Sequence, residues 1–191
     1  WSDKDENRED DTSTGVHRVG AMGCAAITKH PIAFDVATLG VTTYTGRTET
    51  GGNTKYQMIA FNMKFTKDGI VRGITVDVRN TGTMWLQIWE LSTTAANTYA
   101  LRHTRKVDFL ETGVQYYGVN GMEVRVNDVV GWWRDGQSLI GYSSGGGVKL
   151  RGTKNMENPT ALGSEETIAT EVEREYSLQV SMDVSTLATV V

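Results

Sequence analysis

Apolar residues in this chain recur at every second position, and that period decides what it can become. In EYSLQVSMDV (175–184), Tyr176, Leu178, Val180, Met182 and Val184 alternate with Ser177, Gln179, Ser181 and Asp183. Successive side chains of an extended strand point to opposite faces, so such a stretch buries one face and wets the other. GIVRGITVDVRN (69–80) places Ile70, Ile74, Val76 and Val78 inward, with Thr75, Asp77 and Arg79 outward. KYQMIAFNMKFT (55–66) aligns Ile59, Phe61, Met63 and Phe65, and MEVRVND (122–128) aligns Met122, Val124 and Val126. TYALRHTRKVDF (98–109) reads as a further strand, whereas helical periodicity is hard to find. Loops are expected at 46–54, 92–97, 111–121 and 152–174, the last with one helical turn around SEETIATEVER or lying as a cover over a sheet face. Short strands, glycine-rich turns and only 2 prolines predict an all-β antiparallel β-sandwich, jelly-roll-like in the first instance. An immunoglobulin-like sandwich shares the pattern, so the strand order stays open. With 191 residues, one core is the expectation: a β-sandwich domain over 41–191, preceded by an N-terminal arm over 1–40 made of an acidic tail and an extended segment.

Two stretches depart from simple alternation. GTMWLQIWEL (82–91) is apolar on both faces, Met84, Leu86 and Ile88 on one and Trp85, Trp89 and Leu91 on the other. Such a strand is covered twice, by a second sheet and by a loop, a segment or a partner. VVGWWRDGQSLIGYSSGGG (129–147) reads as a hairpin turning at the Asp135-Gly136 pair. Its adjacent tryptophans, Trp132 and Trp133, are expected on opposite faces, one in the core and one outward, with the choice left open. An outward ring beside Tyr142 and the Gly145-Gly146-Gly147 run would offer a platform for a sugar or a partner chain.

The run VRVNDVVGWWRDGQSLIGYSS, with FTKDGIVRGITVDVRNTGTMWLQIWEL before it and EREYSLQV after it, resembles secreted invertebrate ectodomains of the β-sandwich type, over about residues 55–184. In that pattern a strand ending in Gly-Asp leads into a Val/Ile-Gly-aromatic segment, whereas this chain has Asn127-Asp128. The resemblance implies an extracellular, non-enzymatic module and identifies no ligand.

Charge narrows the partners. The net charge of −4 is carried by WSDKDENREDD, where Asp3, Asp5, Glu6, Glu9, Asp10 and Asp11 face only Lys4 and Arg8. The body is balanced and has no basic stripe, so neither nucleic acid nor an anionic membrane is the expected partner. No stretch approaches the ~20 apolar residues of a membrane span. The chain starts at Trp1, for which removal of a signal peptide is the expectation, so secretion is read in although no Asn-X-Ser/Thr sequon occurs. Cys24 is the only cysteine, among small apolar neighbours, and is read as either buried or paired with another chain.

Chemical motifs are sparse. His17, His30 and His103 lack metal-type spacing, and Cys24 has no adjacent base. Gly141-Tyr142-Ser143-Ser144-Gly145 is not a Gly-X-Ser-X-Gly elbow, and no Gly-Lys-Ser/Thr follows the glycines. No catalytic residue, metal site or cofactor is therefore predicted. Asp3, Asp5 and Asn7 resemble half a calcium loop, but Arg8 and Thr14 occupy the places of its glycine and glutamate, leaving at most a weak calcium contact to the tail.

The leading expectation is a secreted structural or matrix protein that self-assembles, as oligomer or filament, through sandwich domains and terminal arms, with Trp1, Asp3, Asp5, Trp85 and Trp89 as assembly residues. The alternative is a lectin-like carbohydrate-binding module using Trp132 or Trp133, Tyr142, Tyr116 and Tyr117, with polar Asp135 and Gln137 nearby.

Overall fold

The computed structural model describes residues 34–44, 55–154, 156–168 and 170–185. Within the compact unit Ile32–Val191 the described residues form eleven strands: β1 (Phe34–Gly40), β2 (Tyr56–Lys64), β3 (Gly69–Val78), β4 (Gly82–Leu91), β5 (Thr98–Phe109), β6 (Gly113–Val124), β7 (Val129–Arg134), β8 (Tyr142–Lys154), β9 (Glu165–Thr167), β10 (Thr170–Tyr176) and β11 (Leu178–Ser185). A four-stranded sheet has the order β1-β11-β3-β6, and a seven-stranded sheet the order β10-β8-β2-β7-β4-β5-β9.

The pairing is nested. β4 pairs with β5, β3 with β6, β2 with β7 and β1 with β11, all antiparallel, and successive pairs fall in alternate sheets. One long hairpin folded over itself in this way is a jelly roll. β8 and β10 extend the larger sheet beyond β2, and β9 extends it beyond β5. The last stretch of the segment read as an arm lies along the smaller sheet as β1. The loop at 46–54 lies outside the described residues.

The two inner faces form the core. Met84, Leu86 and Ile88 of β4 meet Ile74, Val76 and Val78 of β3 and Leu178 and Val180 of β11, all at most 1% exposed. Each such side chain contributes about 1.5–3 kcal/mol by leaving water. The apolar positions of 175–184 hold, with Leu178, Val180, Met182 and Val184 buried and Tyr176 packed against them, but Ser177 and Asp183 on the other face are buried as well, at 0% and 6% exposed. In β2 and β3 the period breaks. Register shifts after Ala60 and at Val71/Gly73 insert unpaired residues and swap the faces. Met58, Ala60, Met63 and Phe65 therefore face the core, whereas Ile59 and Phe61 join a separate cluster. Ile70 turns outward while Val71 takes the buried place.

Three other expectations are corrected. Residues 111–121 form most of β6, because an edge strand tolerates glycines that read as a loop. The 164–174 stretch holds β9 and β10 where a helical turn was expected. β7 and β8 are not hairpin partners. After the turn at Gly136 (φ +87), Leu139 and Ile140 cross to β3, where Arg79 N–H donates to Leu139 O (2.8 Å) and Ile140 bridges Val78.

The second face of β4 is covered by the chain itself at Trp89, whereas Leu91, read onto the same face, is 49% exposed. Trp89, Ile59, Tyr99, Leu101 and Val129 pack beneath Ile168, and Trp133 Nε1–H donates to Met156 O at 3.0 Å. Beneath this cover, Gln57 Nε2 donates to Gln87 Oε1, which also accepts Trp89 Nε1–H (3.3 Å). The Asn127-Asp128 turn works without glycine because Asn127 adopts φ +75, a conformation Asn tolerates. Asp128 then accepts Arg125 N–H (2.8 Å) and Arg102 Nη1 (2.6 Å).

Gly131 lies where the covered face is tightest: a Cβ there would stand 2.6 Å from both Met58 O and Trp89 Nε1. Gly131→Ala is expected to cost about 1–3 kcal/mol through overpacking. A lowered urea midpoint with unchanged slope would show it.

Candidate functional site

Both places where the larger sheet departs most from regular pairing deliver residues to one cleft. In β2, the partner of Ala60 is Val130 and that of Lys64 is Val129, so residues 61–63 bulge out and present Asn62 and Met63. In β10, the partner jumps from Lys149 at Glu173 to Ser144 at Arg174, with residues 145–148 of β8 between. That step re-aims Arg174 and Glu175, and bulges are over-represented beside functional sites for this reason. The cleft has a volume of about 410 Å³. Its other walls come from Leu39 to Thr43 at the end of β1, from Trp132 and Tyr176 as a floor, and from Leu178.

The floor is an aromatic stack. Trp132 meets Tyr176 edge-on (4.9 Å, 75°), and Tyr176 lies tilted against Tyr142 (5.3 Å, 41°). Arg174 closes it from above, with its guanidinium carbon 4.3 Å from the centre of the Tyr142 ring and Nη1 donating to Tyr176 Oη at 3.4 Å. A cation over an aromatic face is attracted by the ring quadrupole. Burial pushes the Tyr176 phenol above the usual tyrosine range, against the opposing pull of Arg174. Burial is also the largest influence on Arg174 and lowers it, but the hydrogen bond to Tyr176 and the surrounding phenols more than offset it, leaving the guanidinium raised. Arg134, behind the floor, is pulled down by burial, and the nearby charge of Arg174 acts in the same direction.

Trp132 and Tyr142 are thus brought together, but each ring is nearly covered, at 2% and 6% exposed. Trp133 lies on the opposite face of the sheet, as alternation requires, yet is also only 2% exposed. The 156–168 segment lies over it, and Trp85 packs edge-on against it (4.8 Å). No outward tryptophan platform exists at this pair. Asp135 and Gln137 are exposed in the turn after β7, where Asp135 pairs with Lys55 (3.6 Å), and neither lines the cleft. Tyr116 is 59% exposed on the outer face of the smaller sheet, while Tyr117 turns inward against Phe109 (4.9 Å). Trp89 is 0% exposed beneath its own chain and unavailable to a partner. Trp1, Asp3 and Asp5, the calcium contact read into that tail, Cys24, His17 and His30 lie outside the described residues. His103 is held below its usual value by burial and then by Arg102.

Sequence reading missed Arg174, Asn62 and Met63 as cleft residues. Arg174 reads as one more charge in a solvated run, and the bulges that bring Arg174, the exposed Asn62 and the buried Met63 to one cleft leave no mark in the alternation. Among the described residues, no group of three or more His, Cys, Asp or Glu side chains could hold a metal ion. Among them too, no helix is long and apolar enough to cross a membrane. No protein-family model matches the chain, and no curated protein or solved structure matches it either.

A raised phenol favours the fold while neutral, so the stability it contributes is complete below the unfolded value of about 10 and is lost as pH rises through the higher folded value. Tyr176→Phe is expected to flatten the alkaline fall in stability and to remove one late-ionising phenol from an ultraviolet pH titration.

Proposed function

We propose that this chain is a non-enzymatic, lectin-like jelly-roll module that binds a saccharide in the cleft between β1, β2 and β10. The observation that carries this reading is the convergence of an aromatic floor with Asn62, Arg174, Glu175, Thr42 and Thr43 around one volume of about 410 Å³. Ligand sites are commonly concave, largely apolar and edged by a few placed polar groups, with volumes of about 300–1,000 Å³. A sugar ring matches that mixture, since its C–H face packs on aromatic and aliphatic surface while its hydroxyls exchange hydrogen bonds with planar amide, carboxylate and guanidinium groups. Secretion, read into the sequence, suits this role and belongs to the same proposal.

The test is a glycan array followed by titration calorimetry. Asn62→Ala and Arg174→Ala are expected to weaken binding of any array ligand about tenfold or more, equivalent to about 1.4 kcal/mol. Gln137→Ala, in the exposed turn, is expected to leave it unchanged. An array blank at high protein concentration would overturn the reading.

Self-assembly into an extracellular structural oligomer or filament is the second reading, favoured by a different observation. The edge strands of the smaller sheet, β1 and β6, expose Val36, Val114 and Tyr116. Unprotected edges with apolar residues invite pairing with another chain. On this reading the unaltered chain exceeds its monomer mass of 21.0 kDa in light scattering, and Val114→Lys reduces that mass.

A further inference from the structure

The cleft contains a guanidinium whose use inside the protein is small. Among the described residues Arg174 makes one hydrogen bond, at 3.4 Å to a phenol, and one cation–ring contact, with Tyr142. Among the described residues it forms no ion pair, although β10 also carries Glu171, Glu173 and Glu175. Arg102 and Arg79, by contrast, pair with carboxylates, Arg102 with Asp128 (2.6 Å) and Arg79 with Asp77 (2.6 Å), as does the more exposed Arg72 with Asp183. An arginine has five donors in a planar fork, so most of the hydrogen-bonding capacity of Arg174 is left for something else.

Its position says what that is. The guanidinium carbon lies over the Tyr142 ring and Tyr176 accepts from one nitrogen, so two contacts restrain the fork before any ligand arrives. Arg134 adds a second positive charge behind the Tyr176 ring. A pre-oriented guanidinium matches a carboxylate, which it meets through two parallel N–H···O bonds. A half-buried setting strengthens that contact relative to water.

We propose that the saccharide bound in this cleft is acidic, a uronic acid unit whose carboxylate is received by Arg174. This inference rests on the saccharide-binding reading above. Asn62 and the two threonines then serve the ring hydroxyls, and the Trp132 and Tyr176 rings the apolar ring face.

The experiment is calorimetric titration of the full chain with hexasaccharides of galacturonate, glucuronate, mannuronate and guluronate, each beside its carboxyl-reduced counterpart. The same ring is thereby presented with and without charge. At least one acidic member is expected to bind ten times or more tighter than its reduced form, with that ratio falling to near one in Arg174→Gln. Arg174→Lys, which keeps the charge but not the fork, is expected to recover only part of it. Should the variants fail to fold, raising the salt concentration with the unaltered chain gives the same information, because it weakens a charge-dependent complex and spares a neutral one. Equal binding of acidic and reduced forms would overturn this inference and leave the saccharide reading standing. Binding of neither, together with a blank array, would overturn both.

Discussion

The chain changes sheets at Ser177, inside the molecule, and three backbone hydrogen bonds permit it. Ser177 N–H donates to Gly141 O (2.9 Å), Asp77 N–H donates to Ser177 O (3.0 Å), and Gly141 N–H donates to Asp77 O (3.2 Å). A buried peptide left unpaired would cost free energy comparable to a lost hydrogen bond, so a fully enclosed crossing requires this closed set. It fixes the end of β10 against the start of β11, and with them Tyr176 against Trp132 on β7. The aromatic floor of the cleft is thus a consequence of how the last strand pair of the jelly roll closes.

The bulges act on top of that frame. A regular seven-stranded sheet would send Asn62 and Arg174 wherever the period of two dictates. The three extra residues in β2 and the four in β8 change that phase locally, while the strands on either side keep their register. The bulge in β2 also explains the split of its apolar residues, with Met63 and Phe65 in the main core and Ile59 in the cluster beneath Ile168. One local irregularity therefore serves both faces of the sheet, filling the outer cluster and shaping the cleft.

Alternation made the fold class legible, most directly in 98–109, which coincides with β5, and in 175–184, whose apolar face is the inner face of β11 with Tyr176. The double-faced pattern of 82–91 also announced a second cover, which the chain supplies with its own 156–168 segment. What stayed hidden was non-local. Whether Trp133 is covered depends on a segment more than twenty residues away, and the Asp-Gly turn after β7 looks like a hairpin until the strand order assigns β7 to β2 and β4. A bulge leaves no signature in side-chain spacing, so Arg174 could not be told from its solvated neighbours. Trp132 and Tyr142 were singled out because aromatics near glycines suggest a platform; the fold brings both against Tyr176, with Trp132 lining the cleft and Tyr142 supporting Tyr176 and Arg174.

The central claim is that ligand contact occurs at the cleft and not across the paired tryptophans. The chain has 5 tryptophans, whose indole N–H signals can be followed separately by NMR while a bound saccharide is titrated. The account predicts that the Trp132 signal moves with saturation, while those of Trp85 and Trp133, on the covered face, stay in place. Movement of Trp85 and Trp133 with Trp132 unmoved would contradict it.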